Sequence, residues 1–434
     1  MKGIFYLIFF LLFIAVKSFC DTEDYEYRKK VIIDFAADIY HVPVPNYMDP
    51  EKVYWPVTIA RLYKYGLNDS LANKYIDSEV FLNRKPFHFI YVGMARLFPL
   101  YSHAPAMKKN KLIYLKNISE RRDSYNPWTC EGTENHVNMS RTSGYIFAGL
   151  MEEYPGEFPD AASRKKEMKD WIKYYSKTIF YTGTGEFNAS TYGIYNIIGW
   201  LNLFDFAKDK EVKEMARAVL DYYASELALH YTQGMTGGAE SRGEPSVKGC
   251  DKETDILSWL WFGNASFNVE DELKKNKNNK NPLQVVHAAT SSYFPPKQIV
   301  DLASNKYKGS FYCNSKPAYL LDNPSIYKNF SMPVKFTLGS ACYPYGAFAS
   351  STYKNVTWKM IAKVDDEEMK HPQMITGGGL YYSDRKGRMR NPWLQTVQYK
   401  NILIQLNKMP VNAGEIVDSI KKTFVIGMNC GEKI

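Results

Sequence analysis

Apolar positions recur at a three-to-four spacing through most of the first two thirds of the chain, which predicts helices over about 24–40, 51–65, 69–82, 87–98, 133–153, 161–180, 190–207, 210–230, 251–262 and 296–306. In the segment from Asp209 to Tyr231, Val212, Met215, Ala216, Val219, Leu220, Tyr223, Leu227 and Leu229 fall on one face. Lys210, Glu211, Lys213, Glu214 and Arg217 take the other, as an amphipathic helix requires. Short links such as Gly183-Thr-Gly185 favour antiparallel helical hairpins, and a ring of such hairpins is one natural closure.

From Gly309 the pattern changes to short runs rich in Tyr, Phe, Val and Thr, bounded by Pro, Gly and Asn. Val334-Lys-Phe-Thr-Leu338 and Ile402-Leu-Ile-Gln-Leu406 read as β-strands, and Gly377 to Gly387 as a turn, a strand and a turn. The reading is therefore a mainly α protein with a β-rich C-terminal part: a signal peptide over 1–20, a helical domain over 21–308 and a sandwich-like domain over 309–434. The last is short for a sandwich, which points to one shortened at its C-terminus.

The N-terminus carries Lys2, an apolar run from Ile4 to Val16, then Ser18, Phe19 and Cys20, the layout of a signal peptide. That run falls short of the roughly 20 residues of a membrane span, and no later segment qualifies. A secreted or lumenal protein is expected. Seven Asn-X-Ser/Thr sequons, at Asn68, Asn117, Asn138, Asn188, Asn264, Asn329 and Asn355, fit that route. Beyond Cys20, five cysteines would face an oxidising compartment. Cys313 with Cys342, and Cys130 with Cys250, are pairings to weigh, and sequence leaves the connectivity open.

Composition adds little: 45% hydrophobic and 23% charged residues are ordinary for a globular chain of 434 residues. The net charge of +9 would favour an acidic polymer as partner. Part of that excess, however, sits in Lys108-Lys-Asn-Lys111 and in Lys274 to Lys280, which read as solvated loops. Nucleic acid is not expected as a partner of a secreted chain. Nucleotide-binding and nucleophile-elbow motifs are missing from the sequence, and its seven histidines lack zinc-ligand spacing.

The chemistry concentrates where a helix begins. Thr133 reads as the N-cap of a helix whose first turn holds Glu134, Asn135 and His136. The positive helix end there favours a neutral imidazole able to accept a proton. A second segment, Thr184 to Tyr192, delivers Glu186, Asn188 and Tyr192 to another helix start, with Ser190 as its cap. A third, Gly234 to Gly243, is a glycine-rich loop presenting Glu240 and Arg242; a fourth runs from His287 to Pro296.

Trp128 with Thr133-Glu-Asn-His136, Glu186-Phe187 with Ser190-Thr-Tyr192, Gly238 to Gly243 with Arg242, and His287 with Pro295-Pro296 occur in an order that resembles a poorly characterised family of secreted six-hairpin proteins. That family is similar to the (α/α) toroids of carbohydrate-active enzymes. The resemblance spans roughly residues 128–296, and Gln395 to Pro410 is similar in texture to the sandwich of heparinase-like and alginate-lyase-like proteins. It implies a polysaccharide lyase acting by β-elimination, with His136, Tyr192, Asn135 and Arg242 as catalytic residues. Glu134, Glu186, Asn188, Glu240 and Trp128 would bind substrate, and the scheme requires no metal or organic cofactor. Asn135 and Arg242 would neutralise a uronate carboxylate, His136 or Tyr192 would take the proton beside it, and Tyr192 would protonate the leaving oxygen. The alternatives are a glycoside hydrolase using Glu134 and Glu186 as its paired carboxyls, and a glycan-binding or structural protein without turnover.

Overall fold

The computed structural model describes residues 24–39, 51–78, 86–241, 252–275, 283–304, 312–315, 327–333, 335–342, 355–363, 372–380, 394–407 and 423–429. Its helices are α1 (24–37), α2 (Glu51–Tyr65), α3 (Ser70–Ile76), α4 (His88–Tyr101), α5 (Pro105–Ser119), α6 (Glu134–Met151) and α7 (Ala161–Thr182). There follow α8 (Gly193–Phe206), α9 (Lys210–His230), α10 (Glu253–Phe262), α11 (Val269–Lys275), a 3-10 turn (Leu283–Val285), α12 (Val286–Ala289) and α13 (Lys297–Ala303). Among the described residues no helix is long and apolar enough to cross a membrane.

Packing among these elements runs in a cycle. α2 lies against α4, α4 against α6, α6 against α8, α8 against α10, α10 against the 3-10 turn, and that turn returns to α2. The intervening α3, α5, α7 and α9 carry the chain back between successive members of the cycle. Burial divides the two sets. α4, α6, α8 and α10 are buried over most of their length, while α7 buries only Ala161, Met168, Ile172, Tyr175, Ser176 and Ile179. Two glycines allow close approach: a Cβ on Gly93 of α4 would collide with Trp55 of α2, and one on Gly199 of α8 with Thr142 of α6. One apolar cluster runs through all these helices, with Trp55, Trp200, Trp261, Tyr91 and Phe98 deep inside it.

Lys108 to Lys111, read as a loop, lies within α5, because Ala106, Met107, Asn110, Tyr114, Leu115 and Ile118 form an inward face that the lysine run obscures. Lys274 and Lys275 likewise end α11, while 276–280 lie outside the described residues.

The strands are β1 (Tyr231–Thr232), β2 (Met235–Thr236), β3 (Glu240–Ser241), β4 (Tyr312–Ser315), β5 (Tyr327–Ser331), β6 (Phe336–Cys342), β7 (Asn355–Val356), β8 (Trp358–Ala362), β9 (Gln373–Leu380), β10 (Leu394–Tyr399), β11 (Ile402–Asn407) and β12 (Thr423–Asn429). Six form one antiparallel sheet in the order β12-β9-β8-β6-β5-β4, and β10 and β11 form a hairpin lying against β6. Gly377 to Gly379, expected to open a turn, are strand residues paired with Ile426, Val425 and Phe424 of β12. A Cys313–Cys342 bridge is excluded by register. Cys313 pairs with Phe330 and Cys342 with Tyr327, so the two are separated by a strand and offset along it. Two strand spacings are about 9.5 Å, beyond the roughly 7 Å that a disulfide spans. Cys130 is a buried thiol without a disulfide, donating to the carbonyls of Glu131 and His136. Its expected partner Cys250 lies outside the described residues.

The β10–β11 hairpin inverts the usual alternation of a half-buried strand. Thr396 and Gln398 point inward, where Gln398 donates to the Leu338 carbonyl at 3.0 Å, while Val397, Tyr399, Ile402, Ile404 and Leu406 are each more than half exposed. Polar groups thus dock this layer on the sheet and an apolar face is left outside.

At the far ends of α4 and α8, Arg96 donates to Asp205 at 2.8 and 2.6 Å and to the His287 carbonyl at 2.9 Å, with Arg96 fully buried. Removing the carboxylate strands that guanidinium in the core. We expect Asp205→Ala to cost about 3–5 kcal/mol in urea unfolding, whereas Lys166→Ala, at an exposed pair with Asp170, changes stability by less than about 0.5 kcal/mol.

Candidate functional site

The helix starts that the sequence singles out meet at one end of the cycle, and further helix starts join them. Glu186, in the loop before α8, accepts from the Asn135 backbone N–H at 3.1 Å, from the Asn135 side-chain amide at 2.7 and 3.0 Å, and from Asn196 of α8 at 3.2 Å. Glu134 accepts from the Glu186 backbone and from the Tyr175 hydroxyl, the latter at 2.9 Å. Asn138 donates to Tyr175 and Asn196 and accepts from Trp200. These side chains are all buried.

The circuit closes through the remaining elements. Thr254 of α10 donates to the Ser190 carbonyl at 3.0 Å, Gln284 donates its backbone N–H to Glu253 at 3.2 Å, and its side chain donates to the Lys52 carbonyl of α2 at 2.8 Å. The Lys52 ammonium lies 4.3 Å over the Phe89 ring of α4. Beside Phe89, His88 stacks on His136 of α6 with ring centroids 3.8 Å apart and planes 20° from parallel. The N-terminal ends of α2, α4, α6, α8, α10 and the 3-10 turn therefore face one region, and the Glu186 and Glu253 carboxyl groups accept backbone N–H groups from two of those ends, Asn135 and Gln284.

Within that region the residues sort by depth. The Glu134, Asn135 and Glu186 side chains form a sealed floor, whereas His136, Tyr192 and Lys52 are partly exposed and Tyr125 is 41% exposed. Tyr192 lies 6.4 Å from Tyr195, which packs edge-on to Phe89. His88 is 3% exposed, and burial, with smaller contributions from His136 and Lys52, pushes its imidazole down to about 2. It is neutral at any physiological pH. Burial pushes the Glu253 carboxyl up to about 8, against the Gln284 and Val285 amides that pull it down.

Several expectations change. Thr133 does cap α6, but its side chain makes no capping bond to a backbone N–H; the Glu186 carboxylate takes the Asn135 N–H instead. Ser190 is not the cap of α8, since Tyr192 holds that position and the Ser190 carbonyl serves Thr254. The Asn135 amide is committed to Glu186 and to Thr133 Oγ1, so it positions the floor rather than meeting a substrate carboxylate. Asn188, at a positive φ of 49°, ties its loop to the glycine-rich loop by donating to the Gly237 and Ala239 carbonyls. Glu240 is buried in an ion pair with Lys359, whose ammonium burial pulls down to about 7, and is closed off from a ligand. Trp128 is buried under Arg164, at 4.2 Å, and offers no sugar platform. His287 is buried near Arg96, away from His136. Arg242 lies outside the described residues. His88, Lys52, Tyr195 and Glu253 were not anticipated, although His88 and Glu253 share with Glu134 a place at the first position of a helix.

No protein-family model matches the chain, and no curated protein sequence matches it.

Two outcomes are expected. A free Glu titrates near about 4.3, so between about pH 4 and 8 the folded chain holds a proton on Glu253 that the unfolded chain has lost, and stability falls as pH rises through that window. Glu253→Gln lacks this slope, so thermal melts at pH 5 and pH 8 should show the variant gaining on the parent at the higher pH. At Asn138, whose amide is buried and donates to Tyr175 and Asn196, folding leaves no room for a glycan. Peptide mapping of protein from a secretory host should find this sequon unoccupied.

Proposed function

We propose that the protein is a secreted or lumenal polysaccharide lyase built as an (α/α) toroid, cleaving a uronate-containing polymer by β-elimination. The observation that carries this reading is the stacked His136–His88 pair on a rim shared with Tyr192 and Lys52, at the end where helix N-termini converge. The cyclic packing of α2, α4, α6, α8, α10 and the 3-10 turn supports the toroid.

In this scheme the Lys52 ammonium meets the uronate carboxylate and lowers the barrier to removing the neighbouring proton. His136 takes that proton. The C–H electron pair passes through an enolate-like intermediate into the new carbon–carbon double bond as the glycosidic C–O bond breaks, and Tyr192 donates a proton to the departing oxygen. His88 stays neutral against the base and fixes its plane, while Asn135, Glu134 and Glu186 hold the first turn of α6 in place. Arg242 belongs to the scheme by its place in the motif alone. The hydrolase alternative loses support, because its candidate carboxylates Glu134 and Glu186 are buried and bonded to protein donors.

The test is ultraviolet absorbance of unsaturated uronate during incubation with alginate, pectate, heparin, hyaluronan and chondroitin. One polymer should give a rising signal that His136→Ala and Tyr192→Phe each lower about 100-fold or more, and Lys52→Ala should raise KM. Reducing ends without absorbance would favour hydrolysis. Binding with neither product would leave a glycan-binding protein.

A further inference from the structure

A cleft of about 320 Å³ opens at the opposite end of the cycle, between the last turns of α4, α6 and α8, with α5 and α7 at its sides. We propose that it binds a small organic monoanion with an apolar body, of the aryl or alkyl carboxylate or sulfonate class, independently of the His136 face. Its volume falls at the small end of the roughly 300–1,000 Å³ typical of ligand pockets.

The lining combines an apolar wall with a tyrosine whose hydroxyl is unmet. Phe98, Ile146, Leu150 and Phe206 supply the wall. Tyr145, 2% exposed, also lines the cleft, and its hydroxyl is buried without a hydrogen-bond partner. A buried hydroxyl left unmet is destabilising, and a ligand acceptor that reaches it would recover that loss. Burial pushes this phenol up to about 12, so it remains a donor.

Charge selects the sign of the ligand. Lys111, Lys165 and Lys208 line the cleft against a single carboxylate, Glu153. Lys111 is paired with Glu153 at 2.7 Å and Lys165 with Glu152 at 2.5 Å, so each of these ammonium groups is already matched by a carboxylate. Lys208 is exposed and has no carboxylate partner among the described residues. Lys208 is thus the lining charge left to meet a ligand, and it favours a single anionic group.

A glycine keeps the space open. Gly149 lies near the end of α6, where Ala would favour the helix, yet a Cβ there would meet only Lys165 Cε, at 3.9 Å. Nothing in the packing demands glycine at this position; a longer side chain would fill the cleft.

Fluorescence titration of the full chain with anilinonaphthalene sulfonate, an aromatic monoanion, and with uncharged phenylnaphthylamine tests the proposal. The sulfonate should bind one site about tenfold tighter than the neutral dye and be displaced by phenylbutyrate or decanoate. Gly149→Leu should weaken it about tenfold with unchanged circular dichroism, and Lys208→Gln should erase its advantage over the neutral dye. Tyr145→Phe, which removes only the hydroxyl, should weaken it several-fold and serves if Gly149→Leu disturbs the fold. Ile404→Lys, on the exposed hairpin face, should leave it unchanged. Binding that ignores Gly149→Leu and Tyr145→Phe, that follows Ile404→Lys, or that is equal for both dyes overturns the proposal.

Discussion

The Glu186 carboxylate is the constraint on which this end of the molecule depends. It is buried where two helices begin, and it takes the N–H of Asn135, both oxygens' share of the Asn135 amide and the amide of Asn196. A carboxylate in such a place is tolerable only because charged-group hydrogen bonds and a helix N-terminus replace its hydration. The same bonds fix α6 and α8 relative to each other, since their donors come from both helices. Glu134 accepts the Glu186 backbone N–H in return, so the loop and the helix hold one another.

That reciprocity explains why the conspicuous polar residues of the first helical turn are not all available for chemistry. A helix start has more N–H donors than its own carbonyls can satisfy, and here protein carboxylates fill much of the demand. Most of the floor's donors and acceptors are therefore spent within the protein, and the partly exposed polar groups of this region are His136, Tyr192 and Lys52. His88 adds rigidity there: a neutral ring stacked at 3.8 Å limits the orientations of His136 without competing for its proton.

The junction with the sheet follows a different rule. It is held by small apolar clusters, such as Phe187 with Ala239 and Ala341, by the buried ion pair Lys359–Glu240 and by the part-buried pair Lys328–Glu226. Paired charges in a buried contact add little net stability compared with apolar groups, but they tolerate few other registers. The described part of the glycine-rich loop, to Ser241, is clamped here between Asn188 and strand β7, which turns a segment expected to present Glu240 to a ligand into a structural joint.

Much of the helical part was legible because helix formation and amphipathic burial are local and periodic: α6, α7, α8 and α9 start and end close to where the three-to-four spacing places them. α5 escaped notice because lysines interrupt its apolar face, although that face exists once its partners α3 and α4 are in place. The motif order grouped the first turn of α6 with the Glu186 loop, which do meet, and with His287, which lies elsewhere. What only the tertiary structure decided is which polar side chains are spent. Asn135, Glu240 and Trp128 have the composition of a site and are consumed by neighbours from distant segments, while Lys52 and His88 become prominent because α2 packs on α4 and α4 on α6. Chain spacing records which residues share a helix face, and partnership across helices depends on the three-dimensional closure alone.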